Sequence, residues 1–518
     1  MNSPYKGSAE SFAQAKPDAV AFFEGDARTS WKAWNDRADR LAAGFQKMGL
    51  RPGDRIAARM AIRHEWFVVQ LAASKIGAAL VGVNNRSTIE ETRYLLEDSG
   101  ARALVIDDPA PGPIMEIARA SGIDAILTFA RLDSGAPNYA DIVADKGVPT
   151  PMVSPAPAPL ILYTSGTTGR PKGVALDPAL LAARKNVQQY RDYMAGIIPV
   201  SEHSRFLLCL PMHHGAGPNS ALFCLRAGGA VVILPKFDAE SALRLIDRHA
   251  ITNWMAVPTM LHRLAALPSE IRDRFDRSSM RTVNIGAAAV PASLKRWAKE
   301  FFGPQCLIFE GYGMSETQMI SYMLPEHWEE APDSSGKPMP YVDVKIIGPD
   351  GETLPPGEAG EICVRTPLMI DRYLNRAPLG PDDLTPDGYF RTGDVGRLDD
   401  RGYLYVTDRL KDMIIVGGTN VYPAEIEAAL HTHPGVLEAA VIGIPDPDMG
   451  EQVLAVCEMR PLAEHDPESL IAHCRKTLAG YKVPKSVRFI DELPRNATGK
   501  VTKNVLREPY WAGRERRI

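Results

Sequence analysis

YTSGTTGRPKGV, residues 163–174, sets Gly166, Gly169 and Gly173 among Ser165, Thr167, Thr168 and Lys172. Glycine allows tight loop dihedrals and close approach of an oxygen to the backbone. Amide and hydroxyl donors can then surround a phosphate, and the ammonium of Lys172 offsets its charge. The spacing is not that of the G-x-x-x-x-G-K-[ST] phosphate loop, because Lys172 follows Pro171; Lys500 is no better, since Val501 follows it. On local chemistry alone the run reads as an anion-holding loop or as a flexible turn.

Upstream, Pro151, Ser154, Pro155, Pro157 and Pro159 favour an extended connection into a short strand at 160–162, which places the glycine-rich loop at a strand end. Other short apolar runs at 103–106 and 231–234 read as strands, with longer helical patterns between them. In 30–50, Trp34, Ala38, Leu41, Ala42 and Phe45 approximate the apolar stripe of a helix packed on a larger body. Alternating strands and helices are the simplest organisation.

Downstream, Gly351, Pro355, Pro356, Gly357 and Gly360 precede a strand at 361–365. Strands at 403–406 and 413–416 flank a charged boundary at 408–412, and a second domain beginning near Lys411 fits that break. A helix at 424–430, a buried strand at 440–444 and a helix at 470–478 suffice for a small mixed domain. There is no clear tandem repeat or low-complexity tract.

With 518 residues, 45% of them hydrophobic, the chain has material for more than one domain. A formal charge of -4 and a pI of about 6.3 give no global basic field, so nucleic acid is not an expected partner. The six cysteines lack the close paired spacing of a zinc site or redox dithiol and read as reduced structural thiols. Lys6, Glu10 and Lys16 interrupt the first residues, and no continuous apolar segment suits secretion or a bilayer span. A cytoplasmic protein without integral membrane contact is expected; homo-oligomerisation and peripheral membrane association are left open.

Four further runs follow the glycine-rich one in order: GYGMSET (311–317), YFRTGD (389–394), DRLKDMIIVGG (408–418) and PRNATGK (494–500). In this combination the chain resembles the acyl-adenylate-forming superfamily over almost its whole length. It looks closest to soluble bacterial fatty-acyl-CoA ligases across DRLKDMIIVGGTNVYPAEIE and PRNATGKVTKNVLREPY, with aryl and bulky-acid CoA ligases also related. The resemblance implies an α/β fold with a large multilayer N-terminal domain, residues 1–410, and a small mobile α+β C-terminal domain, residues 411–518.

It also implies ATP, Mg2+ and coenzyme A as co-substrate. Thr164, Ser165, Gly166, Thr167, Thr168, Gly169 and Lys172 would hold phosphate. Gly286, Ala287, Ala288, Glu310, Gly311, Tyr312, Gly313 and Ser315 would surround the nucleotide, with the Tyr312 ring beside adenine. Asp394 would accept ribose hydroxyls and Arg409 would contact ribose or phosphate. Glu316 would sit at magnesium, a cation that favours hard oxygen ligands and needs no histidine or cysteine cage.

For catalysis the resemblance implies that Lys500 bridges carboxylate and α-phosphate during adenylation, and that Lys411 is the hinge about which the small domain rotates. Gly418, followed by Thr419 and Asn420, would be the close-approach point of the loop brought in for the thiol. In LPMHHGAG (210–217), His214 takes the gate histidine position, while His213 replaces the commoner aromatic and leaves its packing role open. Residues 256–260 read as an apolar strand and turn, and Gly286, Ala287, Ala288 and Ala289 as small pocket surfaces, which favours a hydrophobic small-molecule acid. A medium- or long-chain fatty acid leads, ahead of aryl and of alicyclic or steroid-like acids. A carrier-protein thiol as acceptor, and a nucleotide-binding regulatory module that has lost catalysis, are the alternatives.

Overall fold

The computed structural model describes residues 7–132, 136–145, 159–164, 170–288, 290–495 and 501–512. Ser165, Gly166, Thr167, Thr168, Gly169, Ala289 and Lys500, and the prolines of 151–158, lie outside the described residues.

Two largely parallel sheets form the frame. In the first, Val20–Glu24, Ala230–Ile233, Arg205–Leu208, Asn253–Ala256, Thr282–Gly286 and Leu307–Met314 run parallel in that spatial order. Antiparallel strands flank them, Ala27–Ser30 on one side and Gln318–Met323 with Lys337–Pro338 on the other. In the second, Ala125–Thr128, Ala103–Ile106, Arg55–Arg59, Ala79–Val83 and Leu160–Thr164 are parallel, and Lys172–Val174 closes the edge antiparallel.

Helices Trp31–Lys47 and His64–Lys75 share one buried cluster with Phe22, Leu208 and Val231 of the first sheet and Ile56, Leu80 and Val105 of the second. They therefore fill the layer between the sheets. Ser30 caps Trp31–Lys47 by accepting the Ala33 N–H, and the predicted stripe of Trp34, Ala38, Leu41, Ala42 and Phe45 is buried. His64–Lys75 instead buries Trp66, Phe67, Val68 and Val69 in succession, as a helix covered from two sides does. The outer faces are covered by Ala239–His249 and Ala292–Phe302 on the first sheet and by Ile89–Ser99 and Gly112–Ala120 on the second.

An antiparallel sheet of Asp343–Ile347, Gly360–Arg365, Phe390–Leu398 and Leu404–Arg409 follows. The last sheet joins Thr419–Val421, Ile414–Val416, Gly450–Met459 and Val436–Asp446, with Ser486–Phe489 parallel to Gly450–Met459. Helices Pro423–His431 and Pro467–Arg475 pack into one buried cluster with it, and Lys503–Trp511 into another.

Some boundaries differ from the sequence reading. The 440–444 strand is the middle of Val436–Asp446. The 470–478 helix begins earlier, because Asp466 accepts the Glu468 N–H and Pro467 suits a first helical position. Residues 256–260 do not form one strand and turn: Ala256 ends a strand, and Pro258 opens the helix Pro258–Ala265.

Arg205–Leu208 lies between Ala230–Ile233 and Asn253–Ala256, so its order in the chain reverses across it. Arg55–Arg59 lies likewise between Ala79–Val83 and Ala103–Ile106. Such switch points open a crevice at the carboxyl ends of the strands. The two sheets meet near there: a Cβ added to Gly82 would lie 2.8 Å from the His213 Cα.

Candidate active site

A continuous cleft of ≈ 3540 Å³ is lined by Thr164, Lys172, His214, Tyr312, Glu316, Asp394 and Lys411, among others. Thr164 ends its strand, and its Oγ1 donates a 2.9 Å hydrogen bond to Glu316 Oε1. The Tyr373 hydroxyl donates to the same oxygen at 3.4 Å, and the Lys172 ammonium lies 4.6 Å from the Tyr373 ring centroid. The glycine-rich run and GYGMSET, about 150 residues apart, are thus joined through Thr164 and Glu316. Glu316 is buried, and both described hydrogen bonds reach Oε1; among the described residues Oε2 receives none. This hard oxygen beside a hydroxyl fits Mg2+ better than a softer metal.

Tyr312 lies on Leu307–Met314, and its hydroxyl donates a 2.7 Å hydrogen bond to Asp394 Oδ2. Burial, reinforced by that carboxylate, holds the phenol well above its ordinary pKa, so it stays a donor. Arg409 Nε lies 3.5 Å from Asp394 Oδ1. Asp394 and Arg409 are register partners on adjacent strands, which fixes this pair through the backbone ladder.

The strand Thr282–Gly286 passes Leu307–Met314 with Gly286 opposite Gly311. A Cβ on Gly286 would come 3.0 Å from the Gly311 carbonyl oxygen, and one on Gly313 2.4 Å from that of Gln318. Ala287 has φ 67, a left-handed conformation that L side chains rarely adopt and that concentrates at functional turns. Ala288 and Ser315 line the cleft as well. The Glu310 carboxylate has a structural partner: Lys295 Nζ donates to Oε2 at 2.6 Å and Ser335 Oγ to Oε1 at 3.1 Å, both within the protein. Burial raises the Glu310 pKa, against the pull of Lys295.

His214 lies in the turn before the helix Ala216–Arg226 and lines the cleft. Burial, then His214 and Arg86, lower the His213 pKa to about 4, so this residue is neutral near pH 7. Its backbone packing on Gly82 gives the histidine at that position a structural setting between the two sheets.

Lys411 lies in the short 3-10 turn Leu410–Asp412, where burial and then Arg409 lower its pKa. The turn is tied to the last helix: Arg507 donates to Asp412 at 2.9 Å, and Lys503 pairs with Glu427 at 2.8 Å. Asp408 accepts the Ala424 N–H at 2.8 Å, and burial raises its pKa to about 6. Gly418, with φ 80, and Gly417, with φ 57, form the tip of the hairpin joining Ile414–Val416 to Thr419–Val421. Gly418 is exposed there and does not line the cleft, while Asn420 does. Arg495 and Val501 flank 496–500, pair across a β-bridge and line the cleft.

The sequence reading did not single out Tyr373, Lys295, Lys503 or Arg507. Each acts through a partner remote in the chain or packed from another element, so no local spacing marks it.

A family model described as "AMP-binding enzyme" matches residues 9–374, and one described as "AMP-binding enzyme C-terminal domain" matches residues 425–500. A feruloyl-CoA synthase of Amycolatopsis sp is 37% identical over 502 residues, covering 96% of this chain and 97% of its own. A long-chain-fatty-acid–CoA ligase of Mycobacterium tuberculosis is 34% identical over 492 residues, covering 94% of each chain. Among solved structures, ATP-bound MatB from Rhodopseudomonas palustris superposes with a TM-score of 0.82 at 32% identity, over 98% of this chain and all of that one (100%).

Proposed function

The chain belongs to the AMP-binding enzyme family, and from that premise we propose that it activates an apolar carboxylic acid as acyl-AMP and passes the acyl group to coenzyme A. AMP-forming ligases of this kind use ATP, Mg2+ and coenzyme A. The observation that carries the reading is the convergence of Thr164, Glu316, Tyr312, Asp394 and Arg409 on one cleft that continues past His214 into an apolar side.

In the first step an oxygen of the acid attacks the α-phosphorus, and pyrophosphate leaves. The chain's task is alignment and charge stabilisation. Tyr312 flanks adenine while its hydroxyl orients Asp394 toward the ribose hydroxyls, and Arg409 faces the same edge. Glu316, oriented by Thr164 and Tyr373, would hold Mg2+, which when bound offsets phosphate charge. Lys500 supplies the ammonium between carboxylate and α-phosphate; its neighbours Arg495 and Val501 line the cleft. In the second step the coenzyme A sulfur attacks the acyl carbonyl and AMP leaves, after rotation of residues 411–518 about Lys411.

Met194, Ile198, Leu222 and Phe223 line the acid side and support an apolar body for the substrate, a medium- or long-chain fatty acid first and aryl or alicyclic acids next. A cytoplasmic setting fits the six buried, unpaired thiols. No helix of the described residues is long and apolar enough to cross a membrane. Incubation with ATP, Mg2+, coenzyme A and a panel of fatty, aryl and cyclic acids is expected to give acyl-CoA, AMP and pyrophosphate by mass spectrometry. Absence of any acyl-CoA across the panel would reject the assignment, and transfer only to a carrier-protein thiol would change the acceptor.

A further inference from the structure

The strands Leu160–Thr164 and Lys172–Val174 pair antiparallel with Thr164 opposite Lys172, so Tyr163 and Pro171 stand on the two flanks of the glycine-rich run. Both flanks are bound to the helix Ile89–Ser99 on the outer face of the second sheet. The Tyr163 hydroxyl donates a 2.8 Å hydrogen bond to Asp98 Oδ2, and the Tyr94 hydroxyl donates one of 2.8 Å to the Pro171 carbonyl. Tyr94 and Asp98 are four residues apart and share one helix face. The helix is fixed at both ends: Thr88 and Glu91 form a capping box at its start, and Gly100 closes it in the left-handed region.

Asp98 has a second partner. Its Oδ1 accepts from the Arg376 guanidinium, and its backbone carbonyl accepts from Asn375 Nδ2 at 2.5 Å. The segment that carries these residues lies on the two strands: the Leu374 N–H donates to the Gly173 carbonyl at 2.8 Å, and a Cβ on Gly173 would come 2.9 Å from the Leu374 Cβ. The same segment begins at Tyr373, the donor to Glu316 Oε1. A closed circuit results. Thr164 and Tyr373 meet at Glu316 inside the cleft, while Tyr163, next to Thr164, and Arg376, three residues after Tyr373, meet at Asp98. Asp98 does not line the cleft, and its side chain is only 7% exposed. Its charge-assisted hydrogen bonds are therefore made out of bulk water, where they are strong.

We propose that Asp98 is a positioning residue for adenylation: by joining Tyr163 to Arg376 it holds the two arms that orient Glu316 for the magnesium–triphosphate group. It touches no substrate. This role rests on the activation reading above and belongs to its first step alone, because pyrophosphate has left before the thiol attacks.

The test uses the full-length chain with Asp98→Ala, Asp98→Asn, Tyr163→Phe and Glu316→Gln variants and the double variant Asp98→Ala/Glu316→Gln. Pyrophosphate release across ATP and Mg2+ concentrations gives kcat and KM, isothermal titration of magnesium–ATP gives binding without turnover, and synthetic acyl-adenylate plus coenzyme A isolates the second step. Circular dichroism checks folding. Asp98→Ala is expected to weaken magnesium–ATP binding, and to raise the Mg2+ needed for half-maximal rate, by roughly 10–100-fold, as loss of a partner behind a metal ligand does. The supplied acyl-adenylate should still be converted at the wild-type rate. Asp98→Asn keeps an acceptor for Tyr163 but loses the charge opposite Arg376, and should lose less. In the Glu316→Gln background Asp98→Ala should add little, because both changes act through the same carboxylate. Unchanged Mg2+ dependence in Asp98→Ala, an equal loss in both half-reactions, or full additivity with Glu316→Gln overturns the proposal. If wild type releases no pyrophosphate with any acid, the activation reading fails, and titration decides Asp98 alone: weaker magnesium–ATP binding in Asp98→Ala supports its role, and equal binding, or none in wild type, overturns it. Should Asp98→Ala not fold, Asp98→Asn and Tyr163→Phe carry the same comparison, and wild-type Mg2+ dependence in both overturns it.

Discussion

The Tyr312 hydroxyl lies 2.7 Å from Asp394 Oδ2, 82 residues away in the chain, and donates to it from a half-buried ring. The hydroxyl fixes the carboxylate beside it, and under the proposed function the face of the same ring is free to flank a base.

Tyr312→Phe keeps the face and removes the donor. A hydrogen bond to a charged group contributes roughly 1.5–3 kcal/mol, so the KM for ATP is expected to rise by about tenfold or more with a smaller change in kcat. Steady-state kinetics across ATP concentration checks this, and an unchanged KM would remove Asp394 from ribose binding.

Glu316→Gln retains the shape and a hydrogen-bond acceptor for Thr164 but loses the charge. Adenylation is expected to fall by roughly 10²–10³ and to need much higher Mg2+. Pyrophosphate release titrated with Mg2+ separates this from a simple packing defect, in which the Mg2+ dependence would stay as in wild type.

Lys500→Ala is expected to lower pyrophosphate release by roughly 10²–10³, while synthetic acyl-adenylate plus coenzyme A is still converted to thioester. Equal severe loss in both half-reactions, with folding intact, would contradict the division of labour between the two steps.

Gly82→Ala forces a methyl to within 2.8 Å of the His213 Cα, a backbone atom rather than the far end of a flexible side chain. A loss of about 1–3 kcal/mol is expected, as for other overpacked cores. Because the turn carrying His213 also carries His214, the KM for the acid should rise in the same variant. Thermal melting and kinetics together check the link, and a lower melting temperature with unchanged KM would confine Gly82 to stability.

His262 of the helix Pro258–Ala265 stacks on His431 of Pro423–His431, with ring centroids 5.3 Å apart and planes inclined by 13°. Burial, then His431, lower the His262 pKa to about 4. A depressed histidine favours the folded state while neutral, so its contribution is full above pH 6.5 and is lost as pH falls toward 4. His431 opposes this: against burial, the Glu438 carboxylate 3.4 Å from its Nε2 raises its pKa, a contribution present at low pH and lost as pH rises through the raised value. His262→Gln is therefore expected to flatten the acid limb of stability between about pH 6.5 and 4. Melting temperatures across pH measure it, and an identical acid slope in the variant would refute the assignment.

The amino-acid order alone determined the alternation of strands and helices, the buried stripe of Trp31–Lys47 and the residue types proposed to meet nucleotide and metal. Those signals are local: periodicity, glycine where backbones approach, carboxylate where a hard acceptor is required. Tertiary structure alone decided that Thr164 reaches Glu316, that Tyr373 stands beneath Lys172, and that the Glu310 carboxylate is held by Lys295. It also turned 256–260 from strand and turn into strand and helix. The physical reason is that hydrogen bonds, ion pairs and desolvation depend on which distant segments share a surface, and that choice is made by crossover order and sheet packing rather than by neighbours in the chain.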